Sequence, residues 1–285
     1  MKTYNQLIHS YQKQAQEKDI SIDSIRYFLY ELCSDKKINL YAEMDQEADK
    51  EIADLFEKGM VRILNNEPIN YVLGYCYFYG YRFLVDERTL IPRYETEELV
   101  SNILIECDEF FKDKKQIDAF DVGTGSGAIA IALKKEDQRM HLTASDISEQ
   151  ALEVAKANAL SNDAKIEFLL GNMLDPYIEK GLKCDLLISN PPYIPDDEQI
   201  AASVRDFEPD VALFGGADGL KYYREIFEKT HLVLNKPGMM AFEIAYDKKE
   251  QLMSLLDEYF DDYDAKCLKD INNHDRMLIV KFHLV

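Results

Sequence analysis

No C-x-x-C pair occurs in the sequence, and its five cysteines (Cys33, Cys76, Cys107, Cys184 and Cys267) are odd in number and widely scattered. That pattern argues against a disulfide framework and predicts reduced thiols in a cytoplasmic chain. Histidine is as sparse: His9, His141, His231, His274 and His283 stand far apart, without H-x-x-x-H spacing or cysteine neighbours. No metal site is expected. No stretch approaches the roughly 18 apolar residues that cross a bilayer, and the opening MKTYNQLIHSYQKQ has no apolar signal core. Membrane insertion and secretion are both disfavoured. Positive charge is also short: 33 basic side chains face 53 acidic ones, for a net charge of −20. Such a surface repels phosphate backbones and anionic lipids, so nucleic acid and membranes are poor partners. There is no internal repeat, no low-complexity tract and no heptad pattern; a monomer is expected.

What is present is a globular composition, 47% hydrophobic and 30% charged over 285 residues. At about 150 residues per domain this fits two domains, and a chain of this length buries roughly three quarters of its unfolded surface. The first part reads as helices. Thr3 with Gln6 forms a capping box ahead of Tyr4, Leu7, Ile8, Tyr11 and Ala15 at helical spacing. Asp23 is placed as the cap of a second helix bearing Ile25, Phe28, Leu29 and Leu32. A third, over about residues 45 to 65, presents Ala48, Ile52, Leu55, Phe56, Ile63 and Leu64 on one stripe. Composition changes at Pro68: residues 71 to 85 are dense in aromatic and β-branched side chains broken by Gly74 and Gly80, which predicts a hairpin. From residue 117 strands and helices alternate, with strands expected at 117–122, 141–145, 166–170, 186–189 and 239–244 and a tail strand at 277–283. This alternation predicts a parallel sheet with helices on both faces. The boundaries expected are 1–70 for the helical domain, 71–90 for the hairpin linker and 91–285 for the α/β domain.

Two motifs carry chemistry. Asp121-Val122-Gly123-Thr124-Gly125-Ser126-Gly127-Ala128 follows a strand and opens a helix, so its glycines admit a nucleotide-like ligand where a Cβ would clash. Asp146 ends the next strand 21 residues after Gly125, the spacing at which an acid reaches ribose hydroxyls. NAD and S-adenosylmethionine both satisfy that spacing, and a helix cap is the plain alternative role for Asp146. Asp121 tilts the choice towards a methyl donor, because an acid there can pair with the ammonium of a methionine moiety while pyrophosphate gains nothing from it. A serine hydrolase elbow is excluded, since G-x-S-x-G requires glycine where Thr124 stands.

The second motif is Asn190-Pro191-Pro192-Tyr193, directly after Leu186-Leu187-Ile188-Ser189. A planar amide or aromatic amine is a poor nucleophile, because its nitrogen lone pair is delocalised. Two acceptors facing its N–H groups orient the nitrogen and raise its electron density. The Asn190 side-chain oxygen and the Pro191 carbonyl, held by two prolines that need no N–H partner, are the candidates. Tyr193 is expected to lay its ring against the planar group. Methyl transfer then depends mainly on placing the nitrogen about 3–3.5 Å from the methyl carbon.

With these motifs and their flanks, the sequence resembles the release-factor glutamine methyltransferases. The resemblance covers nearly the whole chain. It runs from Pro68-Ile69-Asn70-Tyr71-Val72-Leu73-Gly74 through Phe78-Tyr79-Gly80 and Leu90-Ile91-Pro92-Arg93-Tyr94-Glu95-Thr96-Glu97 to both motifs. It continues in Glu208-Pro209, Ala212 to Leu220, Tyr223-Arg224 and Asp275-Arg276. Asn-Pro-Pro-Tyr alone is shared with adenine-directed nucleic-acid methyltransferases, which remain the alternative; a donor-binding adaptor without turnover is a third reading.

The resemblance implies a Rossmann-like, S-adenosylmethionine-dependent α/β domain with a mostly parallel seven-stranded sheet, preceded by a small helical domain that grips the release factor. It implies donor contacts at Gly123, Thr124, Gly125, Ser126, Gly127, Asp146, Met173 and Asn190. The glutamine of a Gly-Gly-Gln motif would meet Asn190, Pro191, Pro192 and Tyr193. Tyr94 stands where the family usually has proline, Asn172 where an acid is common, and Asn272-Asn273 where a smaller pair is usual.

Overall fold

The computed structural model describes residues 2–284, which divide into two compact units. The smaller comprises the chain up to Tyr75 together with Ile200–Phe207, and the larger comprises Cys76–Gln199 with the chain from Glu208 onwards. Residues 200–207, expected within the α/β domain, group instead with the helical unit.

The helical unit contains α1 (Tyr4–Gln16), α2 (Ile22–Asp35), α3 (Leu40–Glu43), α4 (Lys50–Ile63) and α5 (Ile69–Leu73). The Thr3–Gln6 capping box forms as read. Ser21, not Asp23, caps α2 by accepting the Ser24 N–H, and Asp23 sits in the first turn paired with Arg26. The third expected helix begins later, because Asp49 accepts the N–H groups of Glu51 and Ile52 and so sets its start. Its stripe packs Ile52, Phe56, Met60 and Ile63 against Leu7, Ile8, Phe28 and Leu29, while Leu55 is exposed. Residues 71–73, read as the start of the hairpin from their aromatic and β-branched content, belong instead to α5, a single helical turn that ends at Gly74 in the left-handed conformation.

The hairpin of β1 (Tyr75–Phe78) and β2 (Tyr81–Leu84) belongs to the larger unit from Cys76 onwards, and its turn residues Tyr79 and Gly80 both have positive φ, as a type I′ turn requires. Next come α6 (Tyr94–Phe110), β3 (Ile117–Val122), α7 (Ala128–Glu136), β4 (Met140–Asp146), α8 (Glu149–Ser161), β5 (Ile166–Leu170), α9 (Asp175–Glu179) and β6 (Cys184–Ser189). The short α10 (Ala202–Arg205) lies in the segment assigned to the helical unit. The unit ends with α11 (Lys221–Lys229), β7 (Leu234–Glu243), α12 (Lys249–Tyr259), β8 (Asp264–Lys269) and β9 (Asp275–Phe282).

The fold is Rossmann-like: seven strands in the order β5-β4-β3-β6-β7-β9-β8, parallel except where β9 runs antiparallel to both β7 and β8. The tail strand therefore does close onto the sheet, but it inserts beside β7 and carries β8 at the edge. Side chains alternate across β3. Phe120 and Val122 join the core that Tyr223, Phe227 and Leu252 of α11 and α12 complete, so Asp121 points to the opposite face. Among the described residues no helix is long and apolar enough to cross a membrane, and no group of metal-ligating side chains gathers.

Candidate active site

Three neighbouring strand ends build the site. Val122 on β3 is in register with Ser189 on β6, and Ser189 with Phe242 on β7. The next residues, Gly123 and Asn190 just past their strands and Glu243 at the last position of β7, therefore lie at one level. The strand order reverses between β3 and β6, the switch point at which open α/β sheets leave a crevice. The Ser189 hydroxyl donates to the Val122 carbonyl at 2.7 Å and ties the two ends together.

A cleft opens there, continuous with solvent and bordered by the ends of these strands and the loops that follow them. Of the sequence-predicted residues, Gly123, Thr124, Gly125, Ser126, Asp146, Met173, Asn190 and Pro192 line it. Gly127, Pro191 and Tyr193 do not. Gly127 serves packing instead: a Cβ on it would lie 3.1 Å from Ile131 and 3.3 Å from Ala155, so its lack of a side chain lets α7 approach α8. Pro191 is buried. Tyr193 turns its hydroxyl to Glu243, at 3.2 Å, rather than its ring into the cleft.

The glycine loop fits a ligand. Gly123 and Gly125 both have positive φ, and a Cβ built on either meets no protein atom within 4 Å, only the open cleft. Asp146 holds the loop: Oδ2 accepts the Gly125 N–H at 2.8 Å and Oδ1 accepts the Ser148 N–H at 2.9 Å, while Ser148 itself caps α8. Burial raises the pKa of Asp146, and these N–H donors offset part of the rise. Asp121 lies deeper. Its Oδ2 accepts the Thr124 hydroxyl at 2.6 Å, but its Oδ1 is buried without a well-aligned hydrogen bond. Burial lifts this carboxyl to about 6, against smaller opposing effects from the Thr124 hydroxyl and the Ala130 N–H. An unsatisfied acceptor beneath the loop suits a cationic group.

On the opposite wall, residues 88–93 border the cleft. Glu208, 4% exposed, anchors that strip by accepting the Ile91 N–H at 3.2 Å and pairing with Arg93 at 2.5 Å. The Asn-Pro-Pro-Tyr loop is gripped from behind by residues 213–219. Ile194 donates to the Leu213 carbonyl, Gly215 donates to the Ile194 carbonyl, and a Cβ on Gly219 would fall 2.3 Å from the Tyr193 carbonyl oxygen. Met173, with φ of 43°, lines the cleft beside Asn172, whose amide is tied to Glu225.

Three residues escape motif reading. Thr96 and Glu243 join Asn190 in a hydrogen-bond chain, and Asn158 on α8 is fully buried. Asn158 satisfies the Leu84 N–H, the Leu84 carbonyl and the Ser126 carbonyl, so it joins the hairpin to the glycine loop. For Glu243 a signal was available, an acid closing the apolar run Met239-Met240-Ala241-Phe242, and Thr96 lies in the resembling segment 90–97 without a role to mark it; for Asn158 there was no signal. No cysteine offers an activated thiolate: burial is the leading cause raising every one, Cys33 to about 11 and Cys76 and Cys107 to about 12.

Known proteins match this construction. The methyltransferase small domain family matches residues 99–207. The release factor glutamine methyltransferase of Bacillus cereus is 39% identical over 86% of this chain and 85% of its own length. That of Staphylococcus aureus is 35% identical over 94% of this chain and 95% of its own length. A crystal structure of a methyltransferase from Pyrococcus furiosus shares the fold, with a TM-score of 0.52 and 19% identity over 80% of this chain and all of that one. With such identity sustained across both units, the chain belongs to the release factor glutamine methyltransferase family.

Proposed function

We propose that this chain methylates the side-chain amide nitrogen of the glutamine in the Gly-Gly-Gln motif of peptide chain release factors, with S-adenosylmethionine as donor. The observation that carries the reading is the register of β3 and β6, which sets the glycine loop beside an asparagine amide at one strand-end level, both lining one cleft. S-adenosylmethionine, when bound, supplies the methyl group and leaves as S-adenosylhomocysteine. Gly123 and Gly125 would let the backbone approach it, Asp121, buried beneath the loop, would pair with its ammonium, and Asp146, already at the loop, would hold its ribose. Met173 borders the adenine end.

On the acceptor side, Asn190 Oδ1 takes one amide hydrogen of the glutamine. The Pro191 carbonyl, on the peptide bond to the cleft-lining Pro192, takes the other. Both acceptors hold the nitrogen's lone pair towards the methyl carbon, so positioning supplies most of the acceleration. Once the new N–C bond forms, the nitrogen is strongly acidic and its surplus proton passes to water without a dedicated base. The helical unit is assigned to gripping the release factor, as a second contact beyond the glutamine.

The test offers labelled donor, purified release factor and adenine-containing DNA side by side. Label on the peptide that carries the glutamine is expected. Label on DNA alone, or none on that peptide while the donor is bound, overturns the reading.

A further inference from the structure

Glu243 is buried, 1% exposed, and the methylation chemistry described above assigns it nothing. Such a carboxylate is costly to keep unless its environment depends on it. Its surroundings come from four elements. Thr96, on α6, donates its hydroxyl to Glu243 Oε2 at 2.6 Å, and Tyr193 donates to Oε1 at 3.2 Å. Tyr223, on α11, donates to the Glu243 backbone carbonyl at 2.6 Å. From β9, Arg276 faces it while held by Asp270 at 3.2 Å, and Glu95 adds a weaker like charge.

A hydroxyl has one proton to give. Because Thr96 spends it on Glu243 Oε2, its oxygen can only receive from its other neighbour, Asn190. That contact is present, with Asn190 Nδ2 donating to Thr96 Oγ1 at 3.4 Å. The two ends of an asparagine amide have nearly the same shape, so packing cannot choose between them; only hydrogen-bond polarity can.

We propose that Glu243, acting through the Thr96 hydroxyl, sets the direction of the Asn190 amide, so that its NH2 group faces Thr96 and its oxygen faces the substrate. Glu243 and Thr96 are thus positioning residues, and the proposal rests on Asn190 accepting from the glutamine amide. With the polarity lost, the amide can flip and present a donor where the substrate also has one. Tyr193, tied to the other oxygen of Glu243, is fixed by the same anchor, which accounts for its ring lying out of the cleft.

The experiment compares Thr96→Val, which keeps the shape and removes the acceptor, with Thr96→Ser and Glu243→Gln. It measures kcat and KM for the release factor, donor affinity, melting temperature, and the nitrogen-bound proton resonances of the Asn190 side chain. Thr96→Val is expected to lower kcat about 10- to 100-fold, the scale of a misplaced reacting group, with KM and donor affinity within about 3-fold. Thr96→Ser should recover most of that loss. The Asn190 amide resonances should move in Thr96→Val and Glu243→Gln and return in Thr96→Ser.

A Thr96→Val enzyme with kcat within about 3-fold of the unaltered chain, or a Thr96→Ser enzyme as slow as Thr96→Val, overturns the proposal. Should Glu243→Gln fail to fold, the two Thr96 variants decide. Should the unaltered chain leave the release factor unmodified, it is the functional reading that fails. The amide resonances then decide alone, a reversible shift upholding the orientation and an unmoved signal refuting it.

Discussion

In the proposed reaction Asn190 and Asp121 serve opposite ends of the transfer, and each can be probed alone. Removing one oriented polar group from a reacting centre costs about 10²–10³ in rate, so Asn190→Ala should lose that much in kcat while donor affinity stays nearly constant. Single-turnover rates measure it; an unchanged rate would show that another group accepts from the glutamine. Asp121 makes a prediction in pH. Its carboxyl titrates at about 6 in the donor-free protein because burial favours the neutral form. A neighbouring ammonium favours the charged form, so donor binding at pH near 6 must expel a proton and weaken as pH falls through that value. Calorimetry in two buffers of different ionisation enthalpy checks it, and identical heats would exclude Asp121 as the ammonium's partner. The same raised pKa makes the donor-free fold less stable as pH rises: this carboxyl's contribution is full below about 4 and is lost through about 6.

Between elements, the site depends on joints that carry no motif. Asn158 alone satisfies three backbone groups of the hairpin and the glycine loop. Asn158→Leu leaves buried polar groups unpaired at about 1–3 kcal/mol each, so a loss of about 2–4 kcal/mol in urea unfolding is expected, together with weaker donor binding. Stability within about 0.5 kcal/mol of the unaltered chain would mean the hairpin is held elsewhere. Gly219, whose Cβ would meet the Tyr193 carbonyl and whose φ is 76°, is the joint behind the reactive loop. Gly219→Ala should lower kcat at least about tenfold with donor affinity kept, since the strain falls on the acceptor wall.

Elements were legible where their signals are local. Ser148 before α8, Thr3 before α1 and the apolar run of β6 announce themselves. β8 did not, because Asp264-Ala265-Lys266-Cys267-Leu268-Lys269 is an edge strand whose charges obscure the alternation. α6 has no side-chain cap to mark its start, although Leu99, Val100, Ile103 and Cys107 recur on one buried face. Residues 71–73 went wrong the other way: their β-forming side chains lost to the helical turn that Gly74 terminates.

For the whole molecule, the net charge of −20 makes a prediction about nucleic acid. Binding to DNA rests on releasing counterions to a basic surface, so titrating labelled duplex at about 50 and 200 mM salt should show no salt-dependent complex. A complex that weakens steeply with salt would revive the adenine-directed alternative. The sequence by itself determined the α/β class, the two reactive loops and the order in which they follow their strands, because glycine, proline and strand periodicity act over a few neighbouring residues. Only the tertiary structure decided that Gly127 packs helices while Gly123 and Gly125 face the cleft, and that Asp146 holds the loop it follows. It alone brought Glu243, Thr96 and Asn190 into one chain of hydrogen bonds, through strand register and a contact between residues 94 positions apart. Hydrogen-bond direction is set by neighbours in space, and for a buried amide those neighbours exist only once the sheet has formed.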